Sequence, residues 1–185
     1  MHDIEPFYHW LDIYNSAEDE ASPFFGQTYN EFGYDKKVYN YYIHPRWDEF
    51  EAENLFVKQL YTDYDDGVVV LELIGEWNDA IGNDIMFLKR DIIDKMRDQG
   101  ISKYILLCEY VFNFHGSDDS YYEEWAEDVA EESGYICFIS VLDHVLEEMK
   151  RSGIHRFVQM GKKWNDILWR KMDPISFVQF VESKL

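Results

Sequence analysis

Basic side chains are scarce in this chain of 185 residues: 17 Lys and Arg stand against 37 Asp and Glu, alongside only 4 Pro, 10 Gly and 2 Cys. The shortage of base sets a formal charge of −20. A surface of that sign repels phosphate backbones and excludes nucleic acid as the main partner. No apolar run approaches the roughly 18 residues of a membrane span, so no membrane segment is expected. Sparse Pro and Gly, with no repeat or low-complexity linker, point to one domain over residues 1–185. Cys108 and Cys137 both sit in apolar runs, which argues for free, buried, reduced thiols and a cytoplasmic compartment. The stretch Met1 to Trp10 is acidic and lacks the basic-then-apolar order of a signal peptide. Nothing at the carboxyl end has the form of a lipidation signal.

What the chain does have is apolar and aromatic surface. At 46% hydrophobic residues it can bury a core, which excludes disorder despite the charge. Of 33 aromatic residues, 14 fall within residues 1–50. These either cover one face of a sheet as a second core or supply a binding surface, since Trp and Tyr combine apolar area with a polar handle. Charge is also uneven, at −25 over residues 1–149 and +5 over residues 150–185. Either a basic C-terminal element lies against an acidic body, or Lys162, Lys163, Arg170 and Lys171 form a patch for an anionic partner.

Periodicity predicts the elements. Pro6 and the spacing of Phe7, Trp10, Leu11 and Tyr14 predict a first helix. From Gln27 to His44 the pattern is that of strands, broken by a turn at Gly33 to Lys37, and Pro45 stops the ladder. Leu55–Thr62 and Val68–Ile74 flank Asp65-Asp66-Gly67 as a hairpin. Ile85, Leu88, Ile92 and Met96 mark a helix, with Lys95, Arg97 and Gly100 at its end. Strands follow at Tyr104–Glu109 and Tyr135–Val141, with an acidic helix at Ser120–Glu132 and a short one at Asp143–Ser152. A last short strand is expected at His155–Met160, then helical pieces at Trp164–Met172 and after Asp173-Pro174. Strands alternating with helices over residues 68–160 imply parallel pairing with right-handed crossovers. The expected fold is α/β: a mixed sheet with N-terminal antiparallel hairpins leading into a βαβαβαβ half, helices packed on the sheet. Residues 1–54 form the aromatic-rich part, 55–160 the core and 161–185 the C-terminal helices.

This order resembles the STAS fold of anti-sigma factor antagonists and sulfate-transporter C-terminal domains over about residues 55–160. STAS antagonists carry an Asp-Ser pair, the serine phosphorylated, between the second crossover strand and its following helix. Asp119-Ser120 lies at the corresponding place here, within His115-Gly116-Ser117-Asp118-Asp119-Ser120. The next residues are Tyr121-Tyr122-Glu123-Glu124, where the family continues with a small residue and Gly. The resemblance implies Ser117 or Ser120 as a phospho-acceptor and a protein partner. Tyr39-Asn40-Tyr41-Tyr42-Ile43-His44-Pro45 and Gly75-Glu76-Trp77-Asn78-Asp79 are also similar to stretches of an uncharacterised, conserved bacterial family without assigned activity.

In an open parallel sheet, ligands bind beyond the carboxyl ends of the strands. Three loops fall there, at residues 76–83, 113–120 and 140–144. They offer Glu76, Asn78, Asp79, His115, Asp118, Asp119, Asp143 and His144. Glu76, Asp79, His115 and Asp118 are the candidates for an acid/base pair or a Mg²⁺ site. The plainer reading has Asp79, Asp84, Asp119 and Asp143 as helix caps, and Ser120 opening its helix with capping-box form. The histidines show no tight ligand spacing, the cysteines lie in too apolar a context for catalytic thiolates, and no phosphate loop, dinucleotide fingerprint or Gly-x-Ser-x-Gly elbow occurs. For binding, the candidates are Tyr39, Tyr41, Tyr42, His44, Trp47 and Trp77. The leading expectation is a regulatory or protein-interaction module of the cytosol that contacts an unknown protein or small ligand. Its rivals are a carboxylate-rich, Mg²⁺-dependent enzyme and a serine phosphoswitch.

Overall fold

Residues 2–185 are described by the computed structural model; Met1, at the head of the acidic N-terminal stretch, lies outside them. A small sheet comes first, formed by β1 (His2–Ile4), β2 (Lys37–Val38) and β3 (Tyr41–Ile43) in the order β1-β3-β2. The main sheet follows in the order β4-β5-β6-β7, with β4 at Leu55–Asp63, β5 at Val68–Asn78, β6 at Lys103–His115 and β7 at Tyr135–Ile139. β4 runs antiparallel to β5, whereas β5, β6 and β7 are parallel. The fold is therefore mixed α/β, as the alternation of elements predicts. Gly67, at φ +65, makes the β4–β5 turn, and the Asp63 carboxylate accepts the amides of Asp65 and Asp66.

β5 crosses to β6 through a helix that is α-helical at Asp84–Phe87 (α1) and Asp94–Arg97 (α2) and π-wound over Leu88–Ile93 between them. α3 (Ser120–Glu131) joins β6 to β7, and α4 (Asp143–Arg151) follows β7. These helices cover one face of the sheet, where Leu88, Ile92, Trp125 and Val145 are fully buried beside Leu71 and Leu106. Lys89, in the π-wound turn, is buried and ion-paired to Asp94, Glu124 and Asp128, which docks α3 on this helix. The opposite face is covered by both ends of the chain. Phe7 and Trp10 meet Trp169, Phe177 and Val181 there, from the C-terminal α5 (Lys162–Asn165), a 3₁₀ turn at Trp169–Lys171, and α6 (Pro174–Glu182).

Four expected elements differ. The Phe7–Tyr14 stretch makes turns rather than a helix. Its anchors are tertiary: Phe7 stands edge-on to Trp169 at 4.9 Å, and the Phe7 amide donates to Glu72 Oε2 at 2.8 Å. The first hairpin turns at Tyr39-Asn40, not at Gly33 to Lys37, with Tyr39 at φ 54, and the strand expected from Gln27 up to Gly33 is irregular chain. The expected strand at His155–Met160 is a 3₁₀ turn at Ile154–Arg156 and a single parallel bridge from Gln159 to Cys137, because Ile154 and Val158 bury toward the helices instead. The Trp164–Met172 helix is broken where Asn165 turns its amide back onto both backbone groups of Val141. Cys108 and Cys137 are buried and free, and burial pushes both thiols well up.

Candidate functional site

The carboxyl ends of β5 and β6 are tied together, since the amides of Asp79 and Ala80 both donate to the His115 carbonyl. Alternation along β5 then sends neighbouring side chains to opposite faces. Glu76 points to the side of the small sheet, where its Oε1 lies 3.2 Å from His115 Nε2. Tyr39 projects from the left-handed hairpin turn and donates to Glu76 Oε2 at 2.5 Å, and Asn113 Nδ2 lies 3.3 Å from His115 Nε2. Burial, followed by that Glu76 bond, raises the Tyr39 phenol above its usual range. Asn113 joins the group because the register slips by one residue at Phe112. His115 and His144 face a cleft floored by Gly116, and His144 Nε2 lies 2.7 Å from the Phe112 carbonyl.

Asp79 goes the other way. It is buried, accepting from Trp77 Nε1 at 2.8 Å, the Ile85 amide at 2.9 Å and Tyr122 OH at 2.7 Å. Burial outweighs those donors and pushes its carboxyl up to about 6. Asp118 is exposed and accepts both the amide and the hydroxyl of Ser120, which hold it below the usual carboxylate range. Thus Glu76 and His115 meet, whereas Asp79 and Asp118 are occupied elsewhere. Ser120 does not cap α3; it is the first helical residue and Asp118 takes its amide. Ser117 and Ser120 are both exposed, and Arg156 pairs with Asp119 beside them. Among the described residues no three His, Cys, Asp or Glu side chains gather in a metal-binding group.

The aromatic candidates also divide. Trp77 is fully buried against Phe114 and Phe138, so it offers no surface to a ligand. Trp47 is buried with its indole donating to the Ile4 carbonyl at 2.8 Å, and the buried His44 accepts the Arg46 amide. Tyr41 stacks on Phe112 with ring centroids 4.6 Å apart. Tyr39 and Tyr42 remain exposed.

A second concavity, lined by residues outside the candidate site set, collects other N-terminal aromatics. β4 is an edge strand, and the turns of residues 7–15 lie across it and leave a cleft of about 190 Å³. Phe7, Trp10, Leu11, Tyr14 and Leu60 provide its apolar wall, and Tyr29, Lys58 and Gln59 its polar one. The register slips between Gln59 and Tyr61, so the bulged strand is re-aimed at Leu60. Lys58 is buried, and its Nζ donates to Asp48 Oδ2 at 3.0 Å and Tyr29 OH at 2.7 Å, while Tyr29 donates to Asp48 Oδ1 at 2.5 Å. Burial lowers the Lys58 amine and raises the Asp48 carboxyl, each opposed by the other's charge. Gln59 Nε2 donates to Tyr14 OH and Thr62 Oγ1, and its Oε1 accepts from Ser22. Arg46 also lines the cleft and pairs with Glu31. The sequence signal for this site was Lys58, a lone cation inside the apolar run Leu55 to Tyr61.

The basic C-terminal patch is partly consumed. Arg170 bonds Glu72 and Glu109, and Lys163 Nζ donates to the Lys184 carbonyl.

No protein-family model matches the chain, and no curated protein matches it. Among solved structures it is similar to the crystal structure of a Thermotoga maritima protein proposed to be an anti-sigma factor antagonist. That match has 16% identity over 51% of this chain and 78% of that one, with a TM-score of 0.40. The NMR structure of the same protein matches at 14% identity over 83% of this chain and 99% of that one, with a TM-score of 0.43.

Proposed function

We propose that this protein works by binding, as a regulatory or interaction module whose contact surface is the N-terminal aromatic face. The observation that carries this reading is the cleft over β4: its apolar wall is prebuilt by tertiary anchors, and Tyr8 and Leu11 stand exposed on its lining. Ile13, in the same turn, is exposed as well. Exposed aromatic and aliphatic side chains beside a walled depression are the usual anchors of recognition. A photo-crosslinker placed at Leu11, in protein expressed in its native host, is expected to label a recurrent partner. The same group at Glu131, on the end of α3, is expected to label nothing in common with it. Equal labelling from both positions sinks the reading.

A second reading is favoured by Glu76 and His115. A carboxylate 3.2 Å from an imidazole beside an open cleft has the geometry of an acid/base pair. On this reading the enzyme uses Glu76 and His115 with a divalent cation drawn from solution, and does without Asp79 and Asp118. Titration with Mg²⁺ followed by NMR tests it: shifts confined to Glu76, Asn113 and His115 favour it, and an unchanged spectrum at millimolar Mg²⁺ removes the cation from it.

A further inference from the structure

The cleft over β4 has a size and a charge arrangement that name a class of ligand. About 190 Å³ is below the roughly 300 Å³ at which drug-sized pockets begin. It is slightly more than the ~150 Å³ of an apolar cavity that accepts benzene. A volume of that size holds one ring. The wall is rigid where it would meet such a ring: Trp10, buried behind it, stands edge-on to Trp169 at 5.8 Å and its indole donates to the Met172 carbonyl. At the polar side, Lys58 has three N–H donors; Asp48 and Tyr29 OH account for two, and the Nζ also lies 4.1 Å from the centre of the Tyr29 ring. Its amine sits where water is largely excluded, and a charge-assisted bond is strong in such a place. Arg46 adds a second cation, paired with the exposed Glu31 and, at 3.7 Å, with Glu5.

We infer that this cleft binds a single-ring aromatic carboxylate, its ring against the Trp10 side and its carboxylate on Lys58. The inference rests on the reading that the N-terminal face is the contact surface, and it specifies what that face takes. The net charge of the chain disfavours anions at long range, so the specificity is local and survives added salt better than a surface contact does.

The test uses the full chain at neutral pH with four probes, benzoate, benzamide, cyclohexanecarboxylate and acetate, followed by NMR shifts of the Trp10 indole and of the Lys58 and Gln59 amides. Benzoate is expected to bind, with benzamide, cyclohexanecarboxylate and acetate each weaker by about tenfold or more, the size of one lost charged hydrogen bond or one lost ring contact. Lys58→Met is expected to abolish the preference for benzoate over benzamide. Because that variant leaves Asp48 unpaired, Leu11→Trp serves as a second one. It fills the cleft from its exposed rim and is expected to block all ring probes while leaving the melting temperature near that of the parent. Benzamide binding as tightly as benzoate, acetate binding as tightly as benzoate, or no ring probe binding at all overturns the inference. Crosslinking from Leu11 together with no ring binding removes this inference alone; loss of both removes the broader reading as well.

Discussion

Arg170 Nη2 donates to Glu72 Oε1 at 3.0 Å, and the other oxygen of that carboxylate accepts the Phe7 amide at 2.8 Å. One fully buried side chain in the middle of β5 thus holds both the N-terminal and the C-terminal segments to the sheet. The same guanidinium reaches Glu109 and, at 3.2 Å, Tyr110 OH. Both lie next to a register slip in β6, where Glu72 pairs with Leu107 but Ile74 pairs with Tyr110.

Burial pushes the Glu72 carboxyl from 4.5 up to about 7, aided by the Glu109 charge and opposed by the Phe7 amide and Arg170. Below pH 4.5 the folded and unfolded chains both carry the proton. Between there and pH 7 only the folded chain holds it, so the contribution of neutral Glu72 falls as pH rises through 7. Asp79 and Asp84, both raised to about 6 by burial, act in the same direction. Glu72→Gln is expected to flatten the decline in urea stability between pH 5 and pH 8. A variant that declines as steeply as the parent contradicts this.

Arg170→Met removes the cation and leaves Glu72 buried. The expected loss is about 3 kcal/mol at pH 8, the scale for breaking one side of a buried pair. At pH 5 the loss shrinks, because Glu72 takes up a proton instead of standing charged. Adding Glu72→Gln to Arg170→Met is expected to recover part of the loss at pH 8. Paired urea melts at the two pH values measure this.

Asp79 joins the end of β5, the start of α1 and the Tyr122 ring of α3. Asp79→Ala orphans three buried donors and is expected to cost about 3 kcal/mol. Asp118→Ala loses only an exposed contact at the start of α3 and is expected to cost clearly less than Asp79→Ala. Equal costs in thermal melts contradict the division of these two carboxylates into an interior group and a surface one.

Gly75 has φ +124, and a Cβ there would lie 1.9 Å from the Asn54 carbonyl oxygen, a backbone atom that cannot step aside. Gly75→Ala is expected to destabilise by about 3 kcal/mol or more, or to prevent folding. Gly100, also at positive φ but with open space around it, is expected to lose only about 1 kcal/mol on the same change. Comparing the two separates strain from collision.

The core elements were legible where local signals agreed. Asp65-Asp66-Gly67 between two apolar runs, the 3.6-residue rhythm from Ile85 to Met96 and the apolar run through Leu107 each correspond to an observed element. The candidate carboxylates failed as a set for a reason also present in the sequence: Glu76 and Asp79 differ by an odd number of positions, and period-two alternation sends them to opposite faces. The aromatics misled differently. Spacing identified Phe7, Trp10 and Tyr14 as one face but not the backbone that carries it, because rings anchored to Trp169 and Phe177 impose the same spacing on a chain of turns.

Composition and periodicity by themselves determined an acidic mixed α/β protein, with its sheet, its hairpin and the helices of one face. Those features rest on local propensity and on burial patterns that repeat along the chain. Tertiary structure alone decided that β4 is an edge strand crossed by the N-terminal turns, that Lys58 sits at the cleft they leave, and that Glu72 fastens both ends of the chain. Each of these joins residues tens of positions apart, and no periodicity records which distant segment covers a given face.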